Sequence, residues 1–206
     1  INCIENYESE NRAVLHTAMR GFFYERADLP EMAKEMSQKA YKEHKKLRTF
    51  LDEIEKQGFT DMVQVGIGGS ELGPKAIYLA LEAFKRKGRN VHFVSNIDPD
   101  EVHSVIAPLD LSKTLVVVVS KSGSTLETRA NESIIRSHFL KEGLSPEKHF
   151  LAVTGEGSPM DNPDQYFRSF YMWDCVGGRY SVTSMVGCVS LGFALGLEKV
   201  MQFLRG

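Results

Sequence analysis

The run Leu115-Val116-Val117-Val118-Val119-Ser120 constrains the fold of this chain more than any other stretch. It shows no alternation of apolar with polar residues, so a strand built from it has neither face turned to water. Strands buried on both faces belong to the middle of parallel sheets, whose strands are joined by long crossovers, usually helical. The flanking sequence fits that demand. Met62–Gly66, Val91–Ser95, His149–Val153 and Phe170–Trp173 are further short apolar or β-branched runs, each followed by glycine or small polar residues and then helical spacing. The rhythm predicts a doubly wound α/β sandwich with about five parallel strands across residues 61–206.

Residues 1–60 carry helical spacing and almost no strand signal. Ala13, Leu15, Met19, Phe22 and Phe23 fit one apolar face of a first helix. A second starts near Pro30, a favoured first-turn residue, and runs to about Gln57 before Gly58 stops it. Its Met32, Met36, Ala40, Leu47, Phe50, Leu51 and Ile54 recur every three or four residues, and the Lys and Glu between them form a solvated face. This helical segment is expected to pack on the sandwich rather than stand apart. A long apolar helix is predicted over Val182–Leu204.

Composition narrows the function. The 25 Lys and Arg against 27 Asp and Glu give a formal charge of -2, with no basic field for general nucleic-acid binding. No purely apolar stretch, Leu115–Val119 included, comes near the ~20 residues that span a membrane. Cys3, Cys175 and Cys188 are too few and too scattered for a disulfide frame or a zinc site, which makes a reducing cytoplasm the default compartment. The chain opens Ile-Asn-Cys without an initiator Met and stops at Leu204-Arg205-Gly206 directly after a helical pattern. The expectation is a piece of a longer protein.

In a doubly wound sheet, ligands bind outside the carboxyl ends of the strands. Three turns there carry chemistry. The first is Val65-Gly66-Ile67-Gly68-Gly69-Ser70-Glu71-Leu72-Gly73-Pro74. Its glycines allow a ligand close to the backbone, and Ser70 sits where a helix would begin, able to cap it or to meet an anion. A dinucleotide fingerprint needs a third glycine where Glu71 stands, and no Gly-Lys-Ser/Thr of a Walker loop follows. A tight strand–helix turn without ligand explains this segment equally well.

The second turn, Ser120-Lys121-Ser122-Gly123-Ser124-Thr125, puts four hydroxyls, an ammonium and a glycine within six residues, ahead of a helix beginning near Leu126. A phosphate monoester asks for several short donors converging on its oxygens, plus modest positive charge. Capping by Ser124 or Thr125 accounts for one hydroxyl, not four. The third segment, Asp174-Cys175-Val176-Gly177-Gly178-Arg179-Tyr180-Ser181, uses paired glycines to aim Arg179, whose planar fork suits a phosphate or oxygens that gain charge in a reaction. A surface arginine beside a turn is the plainer alternative. The six histidines (16, 44, 92, 103, 138 and 149) are scattered without metal-ligand spacing, and Asp98 and Asp100 around Pro99 read as helix caps.

Asn11-Arg12-Ala13-Val14-Leu15-His16 with Met19-Arg20, the GIGGSELGP turn, VHFVSNID, SKSGSTLET and DCVGGRYSVTSMVG together resemble the phosphoglucose isomerase family, in its order and over nearly the whole chain. The resemblance implies a three-layer α/β sandwich of the flavodoxin-like, sugar-isomerase (SIS) type, preceded by two packed helices, with residues 1–60 as the helical segment and 61–206 as the sugar-phosphate-binding domain. It implies interconversion of glucose 6-phosphate and fructose 6-phosphate without metal or organic cofactor, by a cytoplasmic homodimer. Gly69 and Ser70 match positions that contact the sugar phosphate. Ser120, Lys121, Ser122 and Thr125 match the main phosphate loop, with Gly123 and Ser124 between them. Arg179, supported by Gly178, matches the arginine that stabilises the cis-enediolate near C1–C2. Gly-Ser stands where some relatives carry Phe-Thr, and Ser122 where they carry Thr, with every hydroxyl kept. The family's glutamate base and its ring-opening histidine and lysine have no counterpart in this chain. The rival reading is a non-catalytic SIS module that senses a sugar phosphate. Such a sensor has less need of Arg179 and lacks the NRAVLH segment.

Overall fold

The computed structural model describes residues 14–206, which leaves Ala13, the Asn11-Arg12 pair and Cys3 outside the described residues. All seven residues of the third strand, β3 (Thr114–Ser120), are buried, as its composition demands. It is the centre of a five-stranded sheet in the order β2-β1-β3-β4-β5, with β1 at Asp61–Val65, β2 at Asn90–Val94, β4 at Phe150–Thr154 and β5 at Arg168–Tyr171. Every pairing is parallel. Burial falls off toward the edges, β2 and β5, where a parallel sheet meets solvent.

Six helices wrap this sheet into three layers. On one face, Leu115, Val117 and Val119 pack with Met62, Leu151 and Phe170 against four helices: α1 (Glu31–Glu55), α2 (Leu72–Ala80), α5 (Met185–Leu195) and α6 (Leu197–Arg205). On the other, Val116 and Val118 pack with Val63 and Phe150 against Val102 and Ile106 of α3 (Pro99–Ile106) and Ile135 and Phe139 of α4 (Leu126–Lys141). Each valine so buried contributes about 1.5–3 kcal/mol. A short turn at the start of the described chain packs against α1.

That turn corrects the expected first helix. Only a single 3-10 turn, Ala18–Arg20, forms, and Gly21 closes it in the left-handed region at φ 75°. The backbone on either side bonds elsewhere: the Leu15 N–H donates to the Cys175 carbonyl, and the Phe23 N–H to Ser37 Oγ. Ala18 and Met19 are buried against Met36, Ala40, Cys175 and Val176 without helical continuity. The second helix forms where expected, with Pro30 at its N-cap rather than in its first turn and with Met32 exposed rather than on the apolar face. The predicted helix over Val182–Leu204 is divided. Residues Ser181–Thr183 form a 3-10 turn, Ser184 caps α5 through Val186 N–H, and Gly196 separates α5 from α6.

Candidate functional site

The strand order changes direction between β1 and β3, which leaves a crevice at their carboxyl ends. The first two turns singled out in the sequence both leave from it. After β1, the chain makes a 3-10 turn at Gly68–Ser70 and enters α2. Gly69 is there because nothing larger fits: a Cβ on it would lie 2.2 Å from the carbonyl carbon and oxygen of Gly178. The third segment is therefore pressed directly onto the first, and Ser181 Oγ donates to the Gly69 carbonyl at 3.2 Å. Gln64, fully buried in β1, locks the arrangement from below. Its Nε2 donates to the Ser70 carbonyl at 2.6 Å and to the Val186 carbonyl, in the first turn of α5, at 3.3 Å. Of the two roles open to Ser70, capping α2 is not taken up. Glu71 holds the N-cap position without a side-chain cap, and its buried carboxylate is paired with Lys75 at 2.8 Å.

After β3, the four hydroxyls arrive as two pairs. Ser120 Oγ and Thr125 Oγ1 are 2.8 Å apart, and Ser124 Oγ donates to Ser122 Oγ at 3.0 Å. One O–H in each pair is used on its neighbour, so each pair keeps one O–H to offer a ligand. Gly123, at φ 68°, turns the loop, with its N–H on the Ser120 carbonyl. Neither Ser124 nor Thr125 caps α4 through its side chain, which goes against the capping alternative and leaves the first-turn N–H groups available to an anion. Lys121 reaches across to the third segment: its Nζ donates to the Val176 carbonyl at 3.2 Å and sits 3.5 Å from Asp174 Oδ1. With Ser122, Trp173 and Asp174 it lines a cleft of about 700 Å³.

Arg179 is exposed, and no partner for its guanidinium is found among the described residues. Gly69, Gly178, Arg179 and Tyr180 line a second cleft of about 450 Å³. Tyr180 holds φ 67°, the only non-glycine in that region among the described residues, at the point where the loop doubles back into its 3-10 turn. Strain of this kind persists where the surroundings over-determine it. Here they include His16. The Gly177 N–H donates to His16 Nε2 at 3.0 Å, and the imidazole meets the Tyr180 ring edge-on at 6.4 Å.

His16 and Gln64 are the site residues that spacing did not reveal. Nothing local marks a buried glutamine in a strand, and the NRAVLH segment that contains His16 does not point to a partner 161 positions away. The other expectations divide cleanly. Gly69, Ser70, Gly178 and Arg179 come together at the β1 turn, and Ser120–Thr125 form the neighbouring loop. Asp98 is a helix cap, accepting from Asp100 N–H and Glu101 N–H. His92 and His149 bond to Asp61 and to the Thr114 carbonyl. Burial pushes the Cys175 thiol up, away from reactivity. Among the described residues no cluster of His, Cys, Asp or Glu could hold a metal, and no helix is long and apolar enough to cross a membrane.

A family model described as phosphoglucose isomerase matches residues 4–206. Over its whole length the chain is 52% identical to a glucose-6-phosphate isomerase of Desulfotalea psychrophila and covers 39% of it. For one of Protochlamydia amoebophila the identity is 51% and the coverage 38%. The crystal structure of a glucose-6-phosphate isomerase from Chlamydia trachomatis matches 98% of this chain and 39% of its own, with TM-score 0.91 and 49% identity. The chain thus spans about 39% of the length of the first of these relatives.

Proposed function

The chain belongs to the phosphoglucose isomerase family, and from that premise we propose that it is the sugar-phosphate-binding part of an isomerase interconverting glucose 6-phosphate and fructose 6-phosphate. The observation that carries the reading is the pair of hydroxyl couples, Ser120–Thr125 and Ser122–Ser124, at the uncapped head of α4 in the sheet's crevice. Hydroxyls, backbone amides and a helix end hold a phosphate without a wide positive field, in keeping with the charge of -2. Ser120, Lys121, Ser122, Gly123, Ser124 and Thr125 grip the phosphate from one side, and Gly69 and Ser70 from the other. Arg179, aimed by Gly178, stands by the reacting carbons and stabilises the cis-enediolate as charge gathers on its oxygens.

The reaction moves a proton between adjacent carbons and leaves no electrons to carry, so the proposal includes no metal or organic cofactor. It does require a base. Binding the phosphate equally well throughout gives affinity without lowering the chemical barrier. Since the family's base glutamate and ring-opening histidine and lysine have no counterpart here, this 206-residue chain binds sugar phosphate weakly and does not turn it over. Within it, the 1–60 segment braces the 61–206 sugar-phosphate domain through α1. The full-length enzyme is a cytoplasmic homodimer that binds neither nucleic acid nor membrane.

The single tryptophan, Trp173, lines the cleft beside Lys121 and reports on occupancy. Titration with fructose 6-phosphate is expected to change its fluorescence saturably, inorganic phosphate more weakly, and NAD not at all. Saturation by NAD alone would overturn the reading. The sensor alternative is favoured if the full-length protein binds the sugar phosphate and leaves it unisomerised.

A further inference from the structure

The turn after β4 braces the serine-rich loop from behind. Thr154, wholly buried at the end of β4, donates its hydroxyl proton to the Ser120 carbonyl at 2.7 Å. With that proton committed, Thr154 Oγ1 accepts from Ser158 Oγ at 2.7 Å. Ser158 Oγ in turn accepts from the Met160 N–H at 3.2 Å. The chain of hydroxyls therefore has one direction, from Ser158 through Thr154 to the Ser120 carbonyl. That carbonyl is the same one that takes the Gly123 N–H and closes the loop.

Two contacts reinforce the brace. The Gly155 N–H donates to the Lys121 carbonyl at 3.0 Å, and a Cβ on Gly123 would come within 2.9 Å of Ser158 Oγ. The Ser120 and Lys121 peptides and the apex glycine are thus all set against one five-residue turn, Thr154–Ser158. Valine would fill the same space as Thr154. What the hydroxyl adds is orientation: it fixes the peptide plane from which Ser120 Oγ and, through it, Thr125 Oγ1 project.

We infer that Thr154 and Ser158 are positioning residues for phosphate recognition, aligning the Ser120–Thr125 couple with the phosphate without touching it. The inference rests on the reading that this loop holds the phosphate. Its test compares Thr154→Val, Thr154→Ser and Ser158→Ala in the full-length isomerase, with Ser120→Ala/Thr125→Ala as the reference for the loop itself. Thr154→Val is expected to raise both KM for fructose 6-phosphate and the inhibition constant of inorganic phosphate about tenfold, with kcat changed less than about twofold. Thr154→Ser should restore both constants, and Ser158→Ala should show a weaker rise of about threefold. If the double variant raises KM while Thr154→Val leaves both constants unchanged, the positioning role is overturned and the phosphate loop stands. If the double variant leaves KM unchanged, the loop reading falls and takes this inference with it. Should Thr154→Val fail to fold, Ser158→Ala decides, since Ser158 is only partly buried. An unchanged phosphate constant in that variant overturns the inference.

Discussion

Gly68 and Gly69 are adjacent glycines with different jobs. Gly68 sits at φ 59° with open space around its missing Cβ, so Gly68→Ala should cost only backbone strain, about 1–2 kcal/mol, read as a lowered Tm. A Cβ on Gly69 would lie 2.2 Å from the Gly178 backbone, so Gly69→Ala must push the arginine segment off the β1 turn. That variant is expected to lose more than about tenfold in kcat/KM in the full-length enzyme, since a misplacement near 1 Å has large kinetic cost. An unchanged kcat/KM would separate the two segments functionally. Arg179→Lys keeps the charge and loses the planar fork. It should depress kcat more than it raises KM, by about a hundredfold, and a pure KM effect would reassign the arginine to ground-state binding. His44 makes a different prediction, about stability. It is 4% exposed beside Gly21, neither ring nitrogen finds a hydrogen-bond partner among the described residues, and burial pushes its pKa down to about 4. The unfolded chain takes up that proton near pH 6.5 and the folded chain only near pH 4, so stability is full above about 6.5 and falls as the pH drops toward 4, by about 3 kcal/mol. His44→Leu should flatten that slope in urea melts run from pH 7 to 4. A slope that survives the substitution belongs to other groups.

Gly196 divides what the apolar pattern of Val182–Leu204 presents as one helix. At φ 86° and ψ 147° it occupies backbone space almost reserved for glycine. The break lets α5, buried along all eleven residues, give way to α6, which buries only Leu197, Val200 and Leu204. An added Cβ would meet only Arg86 Cδ, at an ordinary 3.6 Å. Gly196→Ala should therefore lose about 1–3 kcal/mol to backbone strain alone, and each kcal/mol shifts Tm by about 2–4 °C in a domain of this size. An unaltered Tm would mean that neighbouring packing, not the glycine, makes the break. The same helix shows why sequence stops short here. Gly187 and Gly192 lie in the same pattern and stay helical, Gly187 tight against the Val182 carbonyl and Gly192 against Leu51. Which of three glycines breaks a helix is decided by what packs on it, and local spacing does not record that. The first helix failed for a related reason. Leu15, Met19 and Phe22 have helical spacing, yet a docked 3-10 turn buries Met19 just as well. Strands were legible because a strand covered on both faces is apolar along most of its length whatever its neighbours are, and β1, β3 and β4 fall within one residue of their predicted bounds. The serine-rich loop was legible because its chemistry is contiguous. The contacts of Gln64 and His16 were not, since they include partners 122 and 161 positions away.

At the scale of the whole molecule, the described site has donors on two turns and an arginine on a third, an arrangement that holds and stabilises anions. Proton transfer needs a different group, a carboxylate poised over a carbon, and such a base is commonly worth about 10²–10⁴-fold in rate. The carboxylates near these turns are otherwise engaged or remote from Arg179: Glu71 is buried against Lys75, Asp174 is paired with Lys121, and Glu156 lines the cleft on the Lys121 side. Hydrogen exchange tests the consequence more sensitively than turnover, because abstraction through an enediolate exposes the proton to solvent even when no product leaves. The 206-residue chain, incubated with fructose 6-phosphate in D₂O, should incorporate no deuterium at C1 beyond the buffer blank, while the full-length enzyme does so readily. Saturable fluorescence change at Trp173 in the same sample would show that the site is filled while the carbon stays untouched. Incorporation by the 206-residue chain that Glu156→Gln or Asp174→Asn abolishes would place a working base within it and overturn the division of labour between gripping the phosphate and moving the proton.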